Sequence, residues 1–583
     1  MVKPKFVLHY LCLVGFIALG AILRLWNLDL KPLWMDEIIT ALFSLGKNYN
    51  DVPLEVVLPL ENLRQIFSFQ PGVSCAQIAT NIATQSTHPP LFFCGMYTLL
   101  EWMHPLGEEW VTKLRLPSAL FGVGEILAIY FVNRIAFSPF AGLIAAALMA
   151  VSPYAVYLSQ EARHYTLPVF LITLALLGLV QIQKDIEKRQ KIRVWVWLAW
   201  TIINSIGFYV HYFSILAFIA QMCSLVLLIY CRRESFPSKR KIWGAVILSS
   251  TGVVITFFPW LPVMLAHSSR SETDWLNSPQ HIVPLFQTVI GWVLMVITLP
   301  IENQPLPIII ISVLFMLLFA GWLGRRVFQG IRQLWATPST HLATLMLLNF
   351  SACVLLEFFG IIYLLGKDIS TVPRYNFVYY PGFCALLAAS LSQTEKSLQK
   401  RKNNFSIIFS PFHATSLNSG FQRTRVAPHL PTVLLVGILS SIFVVSNLVF
   451  QKPFTPRQVA QTMSQDPSVP LMLVMGYRDY QDVALGLSFA LALEPLKPHT
   501  PYPSEVAFFQ QSSDFSSVWQ KLKFAKIPTP VVTKLNLWVV APGRKRRDYP
   551  LEVSLSGQMI CLIDSKHHYR IGVPYQLYRC QKF

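Results

Sequence analysis

Two adjacent acids, Asp36 and Glu37, follow an apolar run of membrane-helix length at residues 6–23. Carboxylates at a membrane boundary are costly unless they face water, a metal or a substrate. A carboxylate within hydrogen-bond reach of a hydroxyl acts as a general base. Two of them together suit hard cations such as Mg²⁺. The doublet is therefore a candidate catalytic site. The alternative is that the acids only cap a helix through backbone amides.

Arginines are the second set of candidates. Arg163 lies in the segment QEARHYT, and Arg374 precedes Tyr375 in PRY. A guanidinium binds phosphate oxygens in a bidentate manner, so we predict phosphate contacts from Arg163 and Arg374. The neighbouring Tyr375, whose hydroxyl can donate a hydrogen bond, is included in the same predicted phosphate-binding set. A salt bridge between Arg163 and Glu161, or an arginine that extends to the membrane interface, would explain the same pattern.

Histidines and a tyrosine complete the candidate pocket, which comprises His88, His164, Tyr165 and His211. Imidazole is a common metal ligand, and we predict that Asp36, Glu37 and His88 hold a divalent cation (Mg, Mn or Zn) if one is bound. A purely structural role is the alternative for His88 and His211. Tyr165 could instead be an interfacial anchor, as tyrosines at the ends of membrane helices often are.

The composition identifies the protein class that must position these side chains. Of 583 residues, 54% are hydrophobic and 13% charged, about half of the roughly 25% typical of soluble domains. Many apolar windows reach the ~20 residues that span a bilayer. The net charge of +19 comes largely from basic loops between apolar runs. This pattern fits the positive-inside rule, so we expect no nucleic-acid partner.

Basic loops also predict the topology: an α-helical, polytopic membrane protein with about eleven crossings. The runs 90–103 and 282–300 do not fit as crossings, and we interpret them as interfacial or re-entrant helices. Counting both runs as crossings gives about thirteen crossings. In this scheme the acidic, histidine and arginine motifs all lie on the extracytoplasmic side, although none of them entered the charge counting.

Two domains are predicted. Residues 1–450 form the transmembrane domain, including a long first extracytoplasmic loop at 24–114. Residues 451–583 are less hydrophobic and contain strand-like runs at 471–477, 535–542 and 559–565, which predict a small mixed α/β extracytoplasmic domain. An oxidising exterior permits one disulfide in the first loop, Cys75–Cys94, and one in the tail, Cys561–Cys580, with free thiols as the alternative.

An ordered set of motifs resembles the polytopic glycosyltransferases of the GT-C superfamily, nearest to the protein O-mannosyltransferase and aminoarabinose-transferase-like branch. The motifs, which extend over roughly the first 390 residues, are RLWNLDLKPLWMDE, THPPLFF, RLPSALFG, SPYAVYLSQEARHYTL, YVHYF and VPRYNFVYYPG.

This resemblance implies a multi-pass protein of the plasma (inner) membrane with an extracytoplasmic active site. It implies transfer of a monosaccharide from a polyprenyl-phosphate-linked donor to a glycan, protein or lipid acceptor, with Asp36 as base or metal ligand and Glu37 as its partner. Two alternatives stay open: a glycan polymerase or ligase that uses lipid-diphosphate oligosaccharides, and a transporter. The sequence leaves the sugar, the acceptor and the oligomeric state open.

Overall fold

The structure, a computed structural model, describes residues 4–189, 192–231, 239–270, 276, 278–393, 429–452, 454–496, 504–512, 515–527 and 533–582. The chain forms two compact units. The helical unit comprises Met1–Leu28, Ser118–Ala266 and Asp274–Phe450, and the sheet unit comprises Asp29–Pro117, His267–Thr273 and Gln451–Phe583. Most of the first loop, predicted as part of the transmembrane domain, thus clusters with the C-terminal residues.

The predicted helical membrane architecture is confirmed. Helices with bounds in the described residues that contribute to the helical unit are Pro4–Leu25, Trp110–Ala136, Pro139–Val151, Pro153–Ser159, Thr166–Lys184, Val194–Val210, Ser214–Cys231, Lys239–Phe257, Leu261–Ser268, Val283–Leu294, Leu306–Ala336, Pro338–Leu364 and Leu430–Val445. Residues 380–393, the last before a gap in the described residues, are also helical.

Within the described residues, seven helices are long and apolar enough to cross a membrane, or eight if the bent pair Pro139–Val151 and Pro153–Ser159 is one span. Four further apolar helices of the described residues are shorter, with 10–17 residues: Leu91–Trp102, Val194–Val210, Val283–Leu294 and Leu430–Val445. The bend of 57° occurs at Pro153, which lacks the N–H that would continue the first helix. Leu91–Trp102 and Val283–Leu294 have 12 residues each, about 18 Å at 1.5 Å per residue, and are too short to span a bilayer.

Arg24 holds the first helix against its neighbour. Its fully buried guanidinium donates hydrogen bonds to the carbonyls of Gly20, Met149 and Ala150, at 2.8–3.0 Å. Gly20 lies at this crossing, where an added Cβ would come within 3.2 Å of the Ala150 backbone. This long cationic side chain therefore connects the first helix to the backbone of helix Pro139–Val151.

A mixed seven-stranded sheet organises the sheet unit. The strands are β1 (Val57–Pro59), β2 (Leu471–Tyr477), β3 (Glu505–Gln510), β4 (Lys534–Val540), β5 (Glu552–Leu555), β6 (Met559–Ile571) and β7 (Val573–Lys582). They lie in the order β1-β3-β2-β4-β7-β6-β5, in which β2 is parallel to β3 and β4 and the other pairs are antiparallel.

The three predicted strand segments are confirmed as β2, β4 and β6. The apolar run of β2 is buried at every position, as expected for a central strand covered on both faces. β1 comes from the first loop and pairs with β3, so that Val57 lies opposite Ala507. The α-helices of this unit with described bounds are Met35–Ser44, Leu63–Ile66, Cys75–Gln85, Leu91–Trp102, Pro456–Met463, Tyr480–Leu493 and Ser516–Phe524.

Both cysteine pairs are disulfide-bonded. Cys75–Cys94 joins the first residue of helix Cys75–Gln85 to helix Leu91–Trp102, and Cys561–Cys580 joins β6 to β7 at paired positions of the ladder. The remaining five cysteines are free thiols. Both bridges lie in the sheet unit.

Candidate active site

The acidic doublet lies in the first turn of helix Met35–Ser44. The N-cap residue is Trp34, and it makes no side-chain capping bond. Asp36 and Glu37 are 6% and 1% exposed, respectively. A helix N-terminus favours negative charge, because its N–H dipoles point toward it. The fold therefore accommodates two buried carboxylates, in the sheet unit.

Glu37 forms a bidentate ion pair with Arg115. Arg115 Nε donates to one carboxylate oxygen at 2.8 Å, and a terminal guanidinium nitrogen donates to the other at 2.7 Å. Both side chains are 1% exposed. The other terminal nitrogen donates to the Lys31 carbonyl at 2.9 Å. Arg115 thus fixes both the acid that follows Asp36 and the chain that leads into the helix.

Sequence reasoning missed Arg115, although it lies within the quoted motif RLPSALFG. The available signal was an arginine at the start of a long apolar run, a position where a charge requires a partner. With both oxygens bound to one guanidinium, Glu37 is better suited to positioning than to proton transfer.

The predicted phosphate contacts meet in the helical unit around the Tyr165 ring. The Arg163 and Arg374 guanidinium carbons lie 5.6 and 5.8 Å from the ring centroid. Arg374 Nε also donates a hydrogen bond to the Tyr165 hydroxyl at 2.9 Å. One aromatic side chain therefore orients two arginines that are 211 positions apart in the sequence.

His164, His211 and Tyr375 lie in the same cluster. The two imidazole centroids are 4.7 Å apart, and the His211 ring is 5.9 Å from the Tyr165 ring. The Tyr375 ring is 6.5 Å from that of Tyr165. His211 Nδ1 accepts the Phe213 backbone N–H at 3.0 Å, so the proton of a neutral ring lies on Nε2. The structure thus brings together all six candidates that belong to the helical unit: Arg163, His164, Tyr165, His211, Arg374 and Tyr375.

Short irregular segments carry this cluster. Residues 160–165 connect two helices, and the turn Pro373–Val378 precedes helix 380–393. The Tyr154 hydroxyl donates to the carbonyls of Pro373 and Arg374 at 3.2 and 3.1 Å, and the Ser118 hydroxyl donates to the Arg163 carbonyl at 3.0 Å. These hydroxyls were not predicted, because their partners are distant in sequence.

His88 belongs to the sheet unit, where its Nδ1 lies 2.9 Å from the Ser86 hydroxyl. Arg270 donates to the carbonyls of Ala83, Thr84 and Ser86 at 2.8–2.9 Å and so holds the end of helix Cys75–Gln85. Arg270 was not predicted either. It fixes the chain just before His88.

The predicted metal ligands do not form a ready site. In the part of the chain that the structure describes, no group of three or more His, Cys, Asp or Glu side chains could hold a metal ion. Glu37 is also bound to Arg115 through both oxygens. We therefore derive no step through a metal, and the cation stays a prediction.

Comparisons with known proteins agree with this architecture. Residues 87–262 match the family model described as dolichyl-phosphate-mannose-protein mannosyltransferase. The fold matches that of ArnT from Cupriavidus metallidurans in the apo state, with a TM-score of 0.51 at 14% identity over 90% of this chain and 92% of that chain. The structure of ArnT bound to undecaprenyl phosphate matches with a TM-score of 0.50 over the same shares, also at 14% identity. The chain has the fold of these two ArnT structures. The predicted resemblance is therefore confirmed.

The archaeal oligosaccharyltransferase AglB from Archaeoglobus fulgidus is also similar in structure, with a TM-score of 0.45 at 12% identity over 85% of this chain and 65% of that chain. A search of curated protein sequences finds no significant match. Together with the apolar helices, the fold identifies a multi-pass membrane protein.

Proposed function

We propose that this protein is a membrane glycosyltransferase that moves a monosaccharide from a polyprenyl-phosphate donor to a hydroxyl-bearing glycan, protein or lipid acceptor. The observation that carries the proposal is the Arg163–Arg374 cluster around Tyr165. Two guanidinium groups oriented by one aromatic side chain suit a phosphate that must be held while a bond to it breaks. The similarity to a protein seen with undecaprenyl phosphate supports this donor class.

In the proposed mechanism, Asp36 accepts the proton of the acceptor hydroxyl. The acceptor oxygen forms a bond to the anomeric carbon as the bond from that carbon to the phosphate oxygen breaks. The electron pair leaves with the polyprenyl phosphate, whose charge Arg163 and Arg374 stabilise. Glu37, bound to Arg115, holds the helix turn that presents Asp36. A single displacement of this kind inverts the anomeric configuration.

Extracytoplasmic placement of the sheet unit and of the active site in the plasma (inner) membrane is part of the proposal. The disulfides Cys75–Cys94 and Cys561–Cys580 support it, since such bridges persist in oxidising compartments.

The decisive experiment is an assay of the full chain in nanodiscs with a panel of polyprenyl-phosphate sugars, with the products identified by mass. We expect Asp36→Asn to lower turnover by at least a thousandfold, within the about 10²–10⁴-fold contribution of a general base, with unchanged insertion and thermal unfolding. Asp29→Asn, the same substitution at an exposed position in the same loop, is the matched control and should keep full turnover.

Undiminished turnover in Asp36→Asn would contradict the assignment of the base. Product formed only from lipid-diphosphate oligosaccharides would favour the polymerase or ligase, and solute movement without glycosyl product would favour the transporter. Repeating the assay with EDTA tests the predicted divalent cation.

A further inference from the structure

The sheet unit contains a cavity that the proposed reaction does not use. Its volume is about 270 Å³, near the lower end of the roughly 300–1,000 Å³ typical of small-molecule sites. It lies between the segment after helix Leu63–Ile66 and the segment that precedes helix Trp110–Ala136. The lining side chains that matter here are Arg64, Phe67, Phe69, His104, Glu108 and Trp110.

Aromatic rings form much of the cavity wall. The Phe67 and Trp110 rings are stacked with centroids 5.4 Å apart, and Phe69 lies 5.4 Å from the His104 ring. Phe67 is buried, whereas Phe69 and Trp110 are partly exposed. Rings that are fixed on one side and open on the other can cover the C–H face of a sugar with little loss of side-chain entropy.

Polar groups stand at the mouth of the cavity. Arg64 is 57% and Glu108 is 84% exposed, and their side chains form an ion pair at 3.0 Å. Arg64 also binds Glu494 at 2.7 Å. A guanidinium shared between two carboxylates offers little net attraction to an anion, whereas its N–H groups and the carboxylate oxygens can still bind hydroxyls. The charge balance therefore favours a neutral, hydroxyl-rich ligand over a phosphate.

The cavity is built on a cross-linked frame. The Tyr97 hydroxyl donates to the Gln70 carbonyl and accepts the Val73 N–H, both at 3.0 Å, and the Tyr97 ring is stacked on Phe69. The disulfide Cys75–Cys94 fixes the helix that carries Tyr97. On the other wall, Lys113 donates to the Pro105 carbonyl at 2.8 Å. Because these contacts restrain the residues that line the cavity, less conformational entropy is lost when a small ligand binds.

We propose that this cavity binds a neutral glycosyl unit of the acceptor, away from the reacting hydroxyl. The inference rests on the proposed function, because it names the acceptor class as a glycan or glycoconjugate. The cavity acts as an acceptor subsite: it raises the affinity for acceptors that carry a neutral sugar and contributes no group to bond breaking.

The test is saturation-transfer NMR of the full chain in nanodiscs with methyl glycosides of neutral hexoses as probes. Ser68→Trp places a large side chain in the cavity, where Ser68 is an exposed lining residue. We expect it to reduce the saccharide signal at least tenfold. Thr80→Trp, at an exposed position of helix Cys75–Gln85 that does not line the cavity, is the control and should leave the signal unchanged.

A second variant keeps the test independent of folding defects. Glu108→Gln removes an exposed charge and its ion pair with Arg64 while keeping the side-chain shape. It should weaken saccharide binding about tenfold, because it removes a charged hydrogen-bond acceptor. Equal signals from the wild type and Ser68→Trp, or displacement of the probe by inorganic phosphate at low millimolar concentration, would overturn the proposal.

The same binding experiment on Asp36→Asn separates this inference from the proposed function. Saccharide binding that persists in Asp36→Asn while transfer stops supports both. If sugar transfer occurs but the saccharide signal does not depend on the cavity, the proposed acceptor subsite is wrong and the proposed function stands. If the saccharide binds in the cavity but no donor supports transfer, the proposed glycosyltransferase function is wrong.

Discussion

Arginine serves in two different ways in the two units of this protein. In the sheet unit, Arg115 is paired through two short hydrogen bonds with the buried carboxylate of Glu37. In the helical unit, Arg163 and Arg374 contact the ring of Tyr165, and Arg374 donates to its hydroxyl. The first contact is an ion pair between two buried charges, and the second is a set of ring and hydroxyl contacts that orient two guanidinium groups. The first arrangement anchors the chain around Glu37. The second sets the positions of the two arginines to which the proposed function assigns the donor phosphate.

The largest expected effect concerns the anchor. Replacing Arg115 by Met leaves the Glu37 carboxylate without its guanidinium, and losing one partner of a buried pair costs about 3–5 kcal/mol. We expect a correspondingly lower denaturation midpoint for the full chain in nanodiscs.

The double variant Arg115→Met/Glu37→Met should recover most of that stability, because it removes both charges together. Arg547→Met, at an arginine 81% exposed beside Asp548, is the control and should have no measurable effect. If the double variant is no more stable than Arg115→Met, the loss of stability does not come from the unpaired Glu37 charge.

The second effect concerns the arginines that are proposed to bind the donor phosphate. Replacing Arg163 by Gln removes the charge, and we expect the KM for the polyprenyl-phosphate donor to rise about thirtyfold to a hundredfold, in line with the ~1.5–3 kcal/mol of a hydrogen bond to a charged group. Arg374→Lys keeps the charge but loses the planar fork, so a rise of about tenfold is expected.

Steady-state kinetics with varied donor concentration measure both effects. The control is Arg332→Lys, because Arg332 also lies over an aromatic ring, that of Phe328, but belongs to helix Leu306–Ala336 and not to the segments that carry the cluster. An unchanged donor KM in both cluster variants would assign the two arginines a structural role and remove the contrast drawn above.

The smallest effect isolates the hydroxyl that orients Arg374. Tyr165→Phe keeps the ring and loses the 2.9 Å hydrogen bond, so we expect the donor KM to rise no more than about tenfold, with little change in stability. Tyr209→Phe is the control, since its hydroxyl donates to the Thr256 carbonyl and contacts no cluster residue in the described hydrogen bonds. A loss of stability in Tyr165→Phe without a change in KM would argue against the orienting role.

Much of the fold could be predicted from local pattern. The long apolar runs form helices, as predicted. The predicted strands at 471–477, 535–542 and 559–565 correspond to β2, β4 and β6. Hydropathy does not reveal where a helix bends or ends, as at Pro153, so the described residues contain shorter apolar helices beside the long ones. β1 was not predicted, since three residues that include Pro59 carry no alternation.

The candidate site could be predicted in part. Arg163, Arg374 and their aromatic neighbours were chosen by residue type, and the structure groups them. Arg115, Arg270 and Tyr154 were missed, because their importance comes entirely from what they contact. Glu37 was predicted as a partner of Asp36, and its own partner is 78 positions away.

By itself, the sequence determined the helical membrane class, the strand-rich tail and the residue types available for chemistry, because length, hydropathy and alternation act over neighbouring residues. Only the tertiary structure decided that the first loop adds a strand to the tail's sheet, that Glu37 is neutralised by Arg115, and that Tyr165 orients Arg374 from 209 positions away. Such pairings arise when distant segments pack together. Burying a charge without a partner costs free energy, so a buried charge is stable only where the packing brings a partner to it.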